Sequence, residues 1–233
     1  MVINKDLTTR NYQNTNNIKR IKYIVIHYVG ATGGAKANCN YFKTIYRGSS
    51  AHYFVGHKGE VWQCVDDADV AWHCGASSYK HKVCRNSNSI GIEMCCRKDS
   101  KGRWYFEKET IDSTIELTKM LMKKYNVPES NVIRHYDVTG KRCPEPYVRD
   151  KEAWNDFKEA IGTKATTTKP VSKEYKVKIT ASALNIRAGA GTKYKITGCI
   201  RDRGIYTIIQ TQGNWGKLKS GLGWINLNYT KKV

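Results

Sequence analysis

The chain has 233 residues, with 40 Lys and Arg against 20 Asp and Glu, and so carries a formal net charge of +20. A hydrophobic fraction of 40% with 11% aromatic residues excludes a disordered chain, and no apolar run is long enough to span a membrane. The charge predicts a polyanionic partner, which leaves nucleic acid, an anionic membrane and an anionic cell wall open.

A segment rich in Thr and Lys, 162–173, divides the chain into two predicted domains, 1–161 and 174–233. The first domain has 26 basic and 18 acidic residues, a net charge of +8, and the second has 11 and 2, a net charge of +9. The shorter domain is therefore the more basic per residue. Because the start of the chain lacks the apolar core of a secretory signal, we expect synthesis in the cytoplasm without a signal peptide.

Hydrophobic patterning predicts alternating strands and helices in the first domain. The long helix directs an apolar face inward that contains Ile111, Ile115, Thr118, Met122 and Tyr125. The predicted elements are, in chain order, a strand at 21–27, a helix at 37–46, a hairpin of strands 51–56 and 61–65, a strand at 89–95, a helix at 109–125, a strand at 132–134 and a helix at 151–161.

The predicted fold class follows from this order of elements. The first domain is α/β, with a mixed central sheet flanked by helices. The last helix buries Trp154, Phe157 and Ile161. The second domain has only short strands and glycine turns, which predicts a small all-β barrel.

Eight cysteines raise the question of redox chemistry and metal binding. No CxxC pair is present, which argues against a zinc ribbon and against a thioredoxin-like site. In a reducing cytosol thiols stay free. Neighbouring Cys95 and Cys96 point to opposite faces of a strand and make a poor disulfide pair. We expect most of the eight to be packing residues.

Three residues are candidate metal ligands, namely His27, His135 and Cys143. Each histidine closes a predicted strand, and Cys143 follows His135 by eight residues in a loop that contains Gly and Pro. Two imidazoles and one thiolate leave a tetrahedral zinc one open position for water, as in catalytic zinc sites. Taken singly, each residue is more often an ordinary surface or packing residue than a ligand, so spacing alone does not decide for a metal site.

The motifs that contain these residues resemble the type 2 N-acetylmuramoyl-L-alanine amidases. The resemblance rests on IKYIVI before His27, AHYFV at 51–55, NSIGIE ending at Glu93, and His135 followed by KRCP at 141–144. It covers about residues 20–160, and the family includes amidase-type phage lysozymes and is related to animal peptidoglycan recognition proteins. The resemblance implies that His27, His135 and Cys143 bind Zn²⁺. It also implies a working enzyme, because relatives that only bind peptidoglycan typically lack the cysteine ligand.

The same resemblance implies roles for further side chains. Glu93 would take a proton from the attacking water and return one to the leaving amine, and Lys141 would stabilise the oxyanion. Where the family carries a catalytic tyrosine in the hairpin strand, this chain has His52, followed by Tyr53. Successive strand residues face opposite sides, so we expect His52 to face the zinc and Tyr53 to lie in the core. Whether His52 is catalytic, binds substrate or supports the site stays open, and His73 is a candidate groove residue.

The C-terminal domain resembles bacterial SH3-like domains. The run LNIRAGAGTKY at 184–194 and the GWI sequence at 223–225 carry the resemblance. Such domains commonly anchor wall hydrolases to peptidoglycan. The alternative is a small barrel in which Trp215 and Trp224 are simply core residues.

Three classes of function follow from the sequence. The first is a zinc amidase that cleaves between N-acetylmuramic acid and L-alanine in Gram-positive walls, either a phage endolysin released by a holin or an autolysin. The second is a peptidoglycan-recognition protein that binds without cutting, which the complete ligand set disfavours. The third, a nucleic-acid-binding protein, rests on charge alone, since no nucleic-acid motif is present. We expect peptidoglycan as the partner, no nucleic-acid or membrane partner, and a monomer.

Overall fold

The computed structural model describes residues 1–162, 174–192 and 194–233. The chain forms two compact units, Met1–Thr163 and Lys164–Val233, named here the N-terminal and the C-terminal unit. All of the predicted linker except Gly162 lies outside the described residues, and the predicted domain boundaries at 161 and 174 stay predictions.

Strands and helices alternate in the N-terminal unit, which confirms its predicted α/β class. The elements are β1 Ile3–Lys5, β2 Tyr12–Gln13, β3 Tyr23–Tyr28, α1 Ala35–Thr44, β4 Tyr53–Val55, β5 Val61–Gln63, β6 Val70–Ala71, β7 Ser89–Met94, β8 Arg97–Lys98, β9 Trp104–Tyr105, α2 Lys108–Tyr125, β10 Val132–Arg134, α3 His135–Thr139, α4 Glu145–Arg149 and α5 Lys151–Ile161.

A six-stranded mixed sheet forms the centre of this unit, with the strand order β1-β5-β4-β7-β3-β10. Strand β7 pairs in parallel with β3 and with β4, and β10 pairs in parallel with β3. The predicted hairpin is confirmed, because β4 and β5 pair antiparallel. Parallel strands buried on both faces are expected to be rich in branched apolar residues, as β3 is with YIVIHY.

One face of the sheet carries the main apolar core, and helices α2 and α5 cover it. The alternation of side chains along each strand sends every second residue to this face. Its strand residues are Ile24, Ile26, Tyr53, Val55, Val61, Ile90, Ile92, Met94 and Val132. Tyr53 therefore lies in the core, as predicted, and its hydroxyl donates a hydrogen bond of 2.6 Å to Asp67 Oδ1.

The opposite face receives the alternate residues of the same strands. Smaller apolar clusters lie there, one against α1 and one around Val25 and Val138 of α3. The polar residues that face this side are His27 of β3, Ser89 and Glu93 of β7, and His52, the residue before β4. One face thus serves the core, and the other collects the polar side chains.

The predicted buried face is confirmed for helix α5 and differs in part for helix α2. Helix α5 buries Trp154, Phe157 and Ile161, as predicted. Helix α2 buries Leu117 and Leu121 together with Thr118 and Met122, whereas three residues of the predicted face are only partly buried. Those three are Ile111, Ile115 and Tyr125.

The C-terminal unit is all-β in its described residues, which confirms the predicted class. Its strands form one sheet in the order β13-β12-β16-β15-β14-β11-β17 around a single apolar core. In neither unit is a described helix long and apolar enough to cross a membrane. The strands are β11 Tyr175–Ile179, β12 Leu184–Arg187, β13 Ile196–Ile200, β14 Ile205–Gln212, β15 Trp215–Leu218, β16 Trp224–Asn226 and β17 Thr230–Lys232.

Candidate active site

Two polar residues meet on the second face of the sheet because of strand register. His27 in β3 and Glu93 in β7 are directly paired in the parallel ladder, so both side chains project from the same face at the carboxyl ends of neighbouring strands. The Oε1 atom of Glu93 lies 3.9 Å from Nδ1 of His27. Ligand sites in sheets of this kind form at these carboxyl ends.

The chain brings His135 and Cys143 to the same place by a short helix and a tight return. Strand β10 pairs with β3, so that His135, the first residue of α3, follows at the edge next to His27. Gly140 ends α3 with a φ of 86°, a left-handed conformation that favours glycine. The backbone N–H of Tyr136 donates a 2.8 Å hydrogen bond to the carbonyl oxygen of Cys143, which closes the loop.

The two histidines and the cysteine form a compact group of potential metal donors. One ligand atom from each of His27, His135 and Cys143 lies within 4.8 Å of the others, and all three residues are buried. The Sγ atom of Cys143 is 3.7 Å from Nδ1 of His27. A tetrahedral zinc with ordinary Zn–N and Zn–S bonds would separate these two atoms by about 3.6 Å. The donor set and its spacing therefore fit a metal ion of the zinc type.

The protonation of the group also suits a metal. Burial, with a smaller contribution from Lys141, lowers the pKa of His135 to about 4. Burial and the neighbouring His135 lower the pKa of His27 well below its ordinary value. Both imidazoles are therefore neutral near pH 7 and offer a lone pair. Burial raises the pKa of the Cys143 thiol, so its thiolate requires a nearby cation such as a metal ion.

Glu93 is the carboxylate of this group. Its Oε2 atom is buried without a hydrogen-bond partner among the described residues. Burial raises the pKa of Glu93 to about 8, and the charge of Lys141 acts in the opposite direction. A carboxyl group with a raised pKa and an unpartnered oxygen at a donor cluster has the properties expected of a proton-transfer group.

A cleft of about 630 Å³ opens beside the donor group. His135 and the exposed Lys141 line it, together with Trp72, His73 and Asn86. Of the donor group, His135 lines the cleft, and Lys141 contributes a positive charge at its wall.

The structure does not bring His52 to the donor group. The backbone N–H of Gly91 donates to Nδ1 of its buried ring at 3.0 Å, and Nε2 lies 3.1 Å from the carbonyl oxygen of Asp69 and 3.0 Å from Nη2 of Arg20. With both ring nitrogens in contact with these groups, His52 has no free atom for a substrate. Of the three roles considered for His52, this geometry favours support of the site.

His73, predicted as a groove residue, lines the cleft, but its contact with His27 on the side away from the donor group was not predicted. Nδ1 of His73 lies 3.0 Å from Nε2 of His27, and the His73 ring also makes an edge contact with His52, with ring centroids 5.8 Å apart. The sequence does contain a feature that indicates room for such a ring. Ser89, Gly91 and Glu93 alternate along β7, which places a hydroxyl, the space above a glycine and a carboxylate on one face of the strand.

The remaining cysteines are free thiols. All except Cys199 are buried, and Cys95 and Cys96 form no disulfide. The six buried ones belong to three of the apolar clusters, as predicted for packing residues.

The chain matches one protein family over its N-terminal unit. The family described as N-acetylmuramoyl-L-alanine amidase matches residues 17–146. This range contains both histidines, the cysteine, Glu93 and Lys141.

Individual relatives agree with this match. The chain is 31% identical over 191 residues to the N-acetylmuramoyl-L-alanine amidase CwlL of Bacillus licheniformis, covering 75% of this chain and 51% of that protein. It is 31% identical over 179 residues to the N-acetylmuramoyl-L-alanine amidase BlyA of Bacillus subtilis (strain 168), covering 71% and 47%. The chain thus spans about half the length of these relatives. The solved structure of PlyL superposes with a TM-score of 0.59 at 25% identity and covers 70% of this chain and 98% of that one.

Proposed function

The chain belongs to the N-acetylmuramoyl-L-alanine amidase family, and from this premise we propose that it is a zinc hydrolase of peptidoglycan. The bond that it cleaves is the amide between the lactyl group of N-acetylmuramic acid and the L-alanine of the stem peptide. The observation that carries the proposal is the buried group of His27, His135 and Cys143, whose donor atoms lie within 4.8 Å of one another beside a cleft.

These three side chains would hold the zinc and leave it an open position toward the cleft. When bound, zinc supplies a water of lowered pKa, near 7, and polarises a carbonyl group. The neutral imidazoles of His27 and His135 meet the requirement for unprotonated nitrogen ligands.

Glu93 would move the protons of the reaction. Its carboxylate accepts a proton from the attacking water and then donates it to the nitrogen of the leaving L-alanine, whose bond to the carbonyl carbon breaks. The support is positional, since Oε1 lies 3.9 Å from the His27 nitrogen that faces the donor group, and Oε2 has no partner among the described residues.

Lys141 would stabilise the negative charge that develops on the carbonyl oxygen. It lies two residues before Cys143, lines the cleft, and its charge acts on the pKa of Glu93 and of His135. An exposed ammonium group at the cleft wall can approach that oxygen while the donors stay buried.

The C-terminal unit would keep the enzyme on its insoluble substrate. Its resemblance to SH3-like domains and the 11 basic against 2 acidic residues of its segment 174–233 support binding to an anionic Gram-positive wall. The enzyme then acts on the wall as a phage endolysin, after release by a holin, or as an autolysin.

Mass analysis of purified peptidoglycan digested by the full chain tests this function. The expected products carry new free N-terminal L-alanine and intact glycan strands. New reducing sugar ends would identify a glycosidase instead. Retention on the wall without any new ends would identify a protein that recognises peptidoglycan but does not cut it.

A further inference from the structure

We propose that His73 and Ser89 form a hydrogen-bonded relay that fixes the tautomer of His27 and so selects Nδ1 as its metal-binding nitrogen. His73 and Ser89 are positioning residues in this proposal, since they act through His27 and contact neither metal nor substrate in that role. The proposal deepens the proposed function and rests on its metal site.

The relay begins at a backbone carbonyl oxygen, which can only accept a hydrogen bond and so fixes which atom donates at each later step. The Oγ atom of Ser89 lies 2.7 Å from the carbonyl oxygen of Arg85. Two oxygens this close require a proton between them, and only the serine hydroxyl carries one. Ser89 therefore donates to Arg85, and its Oγ can only accept a hydrogen bond from any other partner.

One further partner of Ser89 is His73, beside the Cys84 thiol. Its Nε2 atom lies 3.1 Å from Ser89 Oγ, so Nε2 must carry the proton and donate. In the neutral ring Nδ1 then has the lone pair. This Nδ1 lies 3.0 Å from Nε2 of His27, so the Nε2 of His27 must be the donor.

The last step leaves the lone pair of His27 on Nδ1. That atom is the one 3.7 Å from Cys143 Sγ and 3.9 Å from Glu93 Oε1. The relay thus directs the lone pair at the donor group, in the manner by which an acceptor on the far nitrogen orients a ligating histidine. If His27 and His73 were only packing residues, nothing would require the lone pair of His27 to face a thiol and a carboxylate.

Two further features hold the His73 ring in place. A Cβ atom at position 91 would lie 2.5 Å from Cγ of His73, so Gly91 provides space that any other residue would fill. The backbone N–H of His73 donates to Oδ1 of Asn86 at 3.1 Å. Strand β7 therefore supplies Ser89 for the relay, Gly91 for the ring and Glu93 for the reaction, all on one face.

Nitrogen NMR of the histidine rings in the metal-free full chain tests the tautomers without metal or substrate. We expect the proton of His27 and of His73 on Nε2, with the His27 proton protected from exchange by its bond to His73. A His27 ring that carries its proton on Nδ1 would overturn the proposal. Because this readout needs no zinc, its result is independent of whether the chain is an amidase.

Zinc affinity, measured by competition with a chelator, tests the consequence. His73→Ala is expected to weaken zinc binding about 10–100-fold, as the loss of an outer partner of a ligand does. His73→Asn, whose side-chain oxygen can replace the Nδ1 acceptor, is expected to recover most of that loss.

The remaining variants separate the relay from general destabilisation. Ser89→Ala is expected to weaken zinc binding by about 10-fold at most, since His73 keeps its place but loses its fixed tautomer. Thr114→Val is the matched control, because Thr114 also donates to the carbonyl four residues earlier, Thr110, in helix α2. Wild-type affinity in both folded His73→Ala and folded Ser89→Ala would overturn the proposal, and so would an equal loss in Thr114→Val.

Discussion

The two units of this chain treat polar groups in opposite ways. Among the described residues, every buried polar or charged side chain belongs to the N-terminal unit, including four histidines, whereas the core of the C-terminal unit is formed by aliphatic residues. Burial of a polar group costs free energy unless it gains a partner. The polar groups buried in the N-terminal unit therefore lower its stability unless they are paired. The C-terminal unit presents its polar groups to solvent, and most of its charged groups are basic.

In the proposed function, the N-terminal unit carries the chemistry and the C-terminal unit carries the electrostatic attraction to the wall. Buried imidazoles and a thiol can hold a metal, and exposed lysines can approach a polyanion. Four predictions follow, each of which changes one unit and reads out the property assigned to it.

The largest effect is expected at Glu93. Glu93→Gln removes the proton-transfer group and keeps the shape, so hydrolysis of peptidoglycan should fall by about 10²–10⁴-fold while the zinc content stays that of the wild type. Glu152→Gln, on an exposed position of α5, is the matched control and should keep full activity. Normal hydrolysis by folded Glu93→Gln would remove Glu93 from the reaction.

The next effect is expected at the thiol. Cys143→Ser should weaken zinc binding by at least about 100-fold, more than the loss of an outer contact costs, because a serine hydroxyl is a poor ligand for zinc. Cys199→Ser changes the exposed cysteine of the C-terminal unit and should leave zinc binding unchanged. Equal affinities of the two variants in a chelator competition would contradict the ligand assignment.

A core substitution in the C-terminal unit should affect stability alone. Ile225 is fully buried, and Ile225→Ala is expected to lower the free energy of unfolding by about 2–5 kcal/mol through loss of packing and the cavity left behind. Zinc affinity should stay that of the wild type. Chemical denaturation gives the stability and chelator competition gives the zinc affinity of the same sample. A loss of zinc affinity in Ile225→Ala would contradict the assignment of metal binding to the N-terminal unit alone.

The smallest effect is expected from surface charge. Lys178 and Lys231 are exposed and face each other across β11 and β17. Reversal of both to Glu should weaken retention on purified walls several-fold at low salt and less at high salt. The control reverses Lys119 and Lys123 on α2 and gives the same net charge. Equal loss in both double variants would show that total charge, and not the C-terminal unit, governs retention.

Much of the N-terminal fold could be predicted because its main elements are long or strongly patterned. Strand β3, the β4–β5 hairpin and helix α5 follow directly from apolar patterning. Helices α3 and α4 have five residues each, which is too short for a helical period to show. Their positions depend on tertiary contacts such as the bond between Tyr136 and Cys143.

The inward face of α2 shows another limit of patterning. A count of apolar residues favours Ile111 and Ile115, but Thr110 and Thr114 are the residues fully buried in those turns. Their hydroxyls donate to the carbonyl oxygens of Gly56 and Thr110, so burial costs little. Sequence patterns do not show such partners, and the predicted face was therefore rotated.

The assignment of His27, His135 and Cys143 as metal donors rested on the family resemblance, and the structure adds the orientation of their side chains. The sequence placed His27 and Glu93 at strand ends, but the choice of Nδ1 over Nε2 depends on hydrogen bonds to His73, 46 residues away. The expectation that His52 faces the zinc followed from alignment with a tyrosine, and alignment cannot show that Gly91 and Asp69 contact both ring nitrogens.

X-ray absorption at the zinc edge of the full chain tests the central claim most directly, namely that His27, His135 and Cys143 hold one zinc. We predict a first shell with one sulfur at about 2.3 Å, two imidazole nitrogens at about 2.0–2.1 Å and one further light atom. The sulfur should disappear in any zinc that Cys143→Ser retains. A shell without sulfur in the wild type, or one with several sulfurs, would contradict the account.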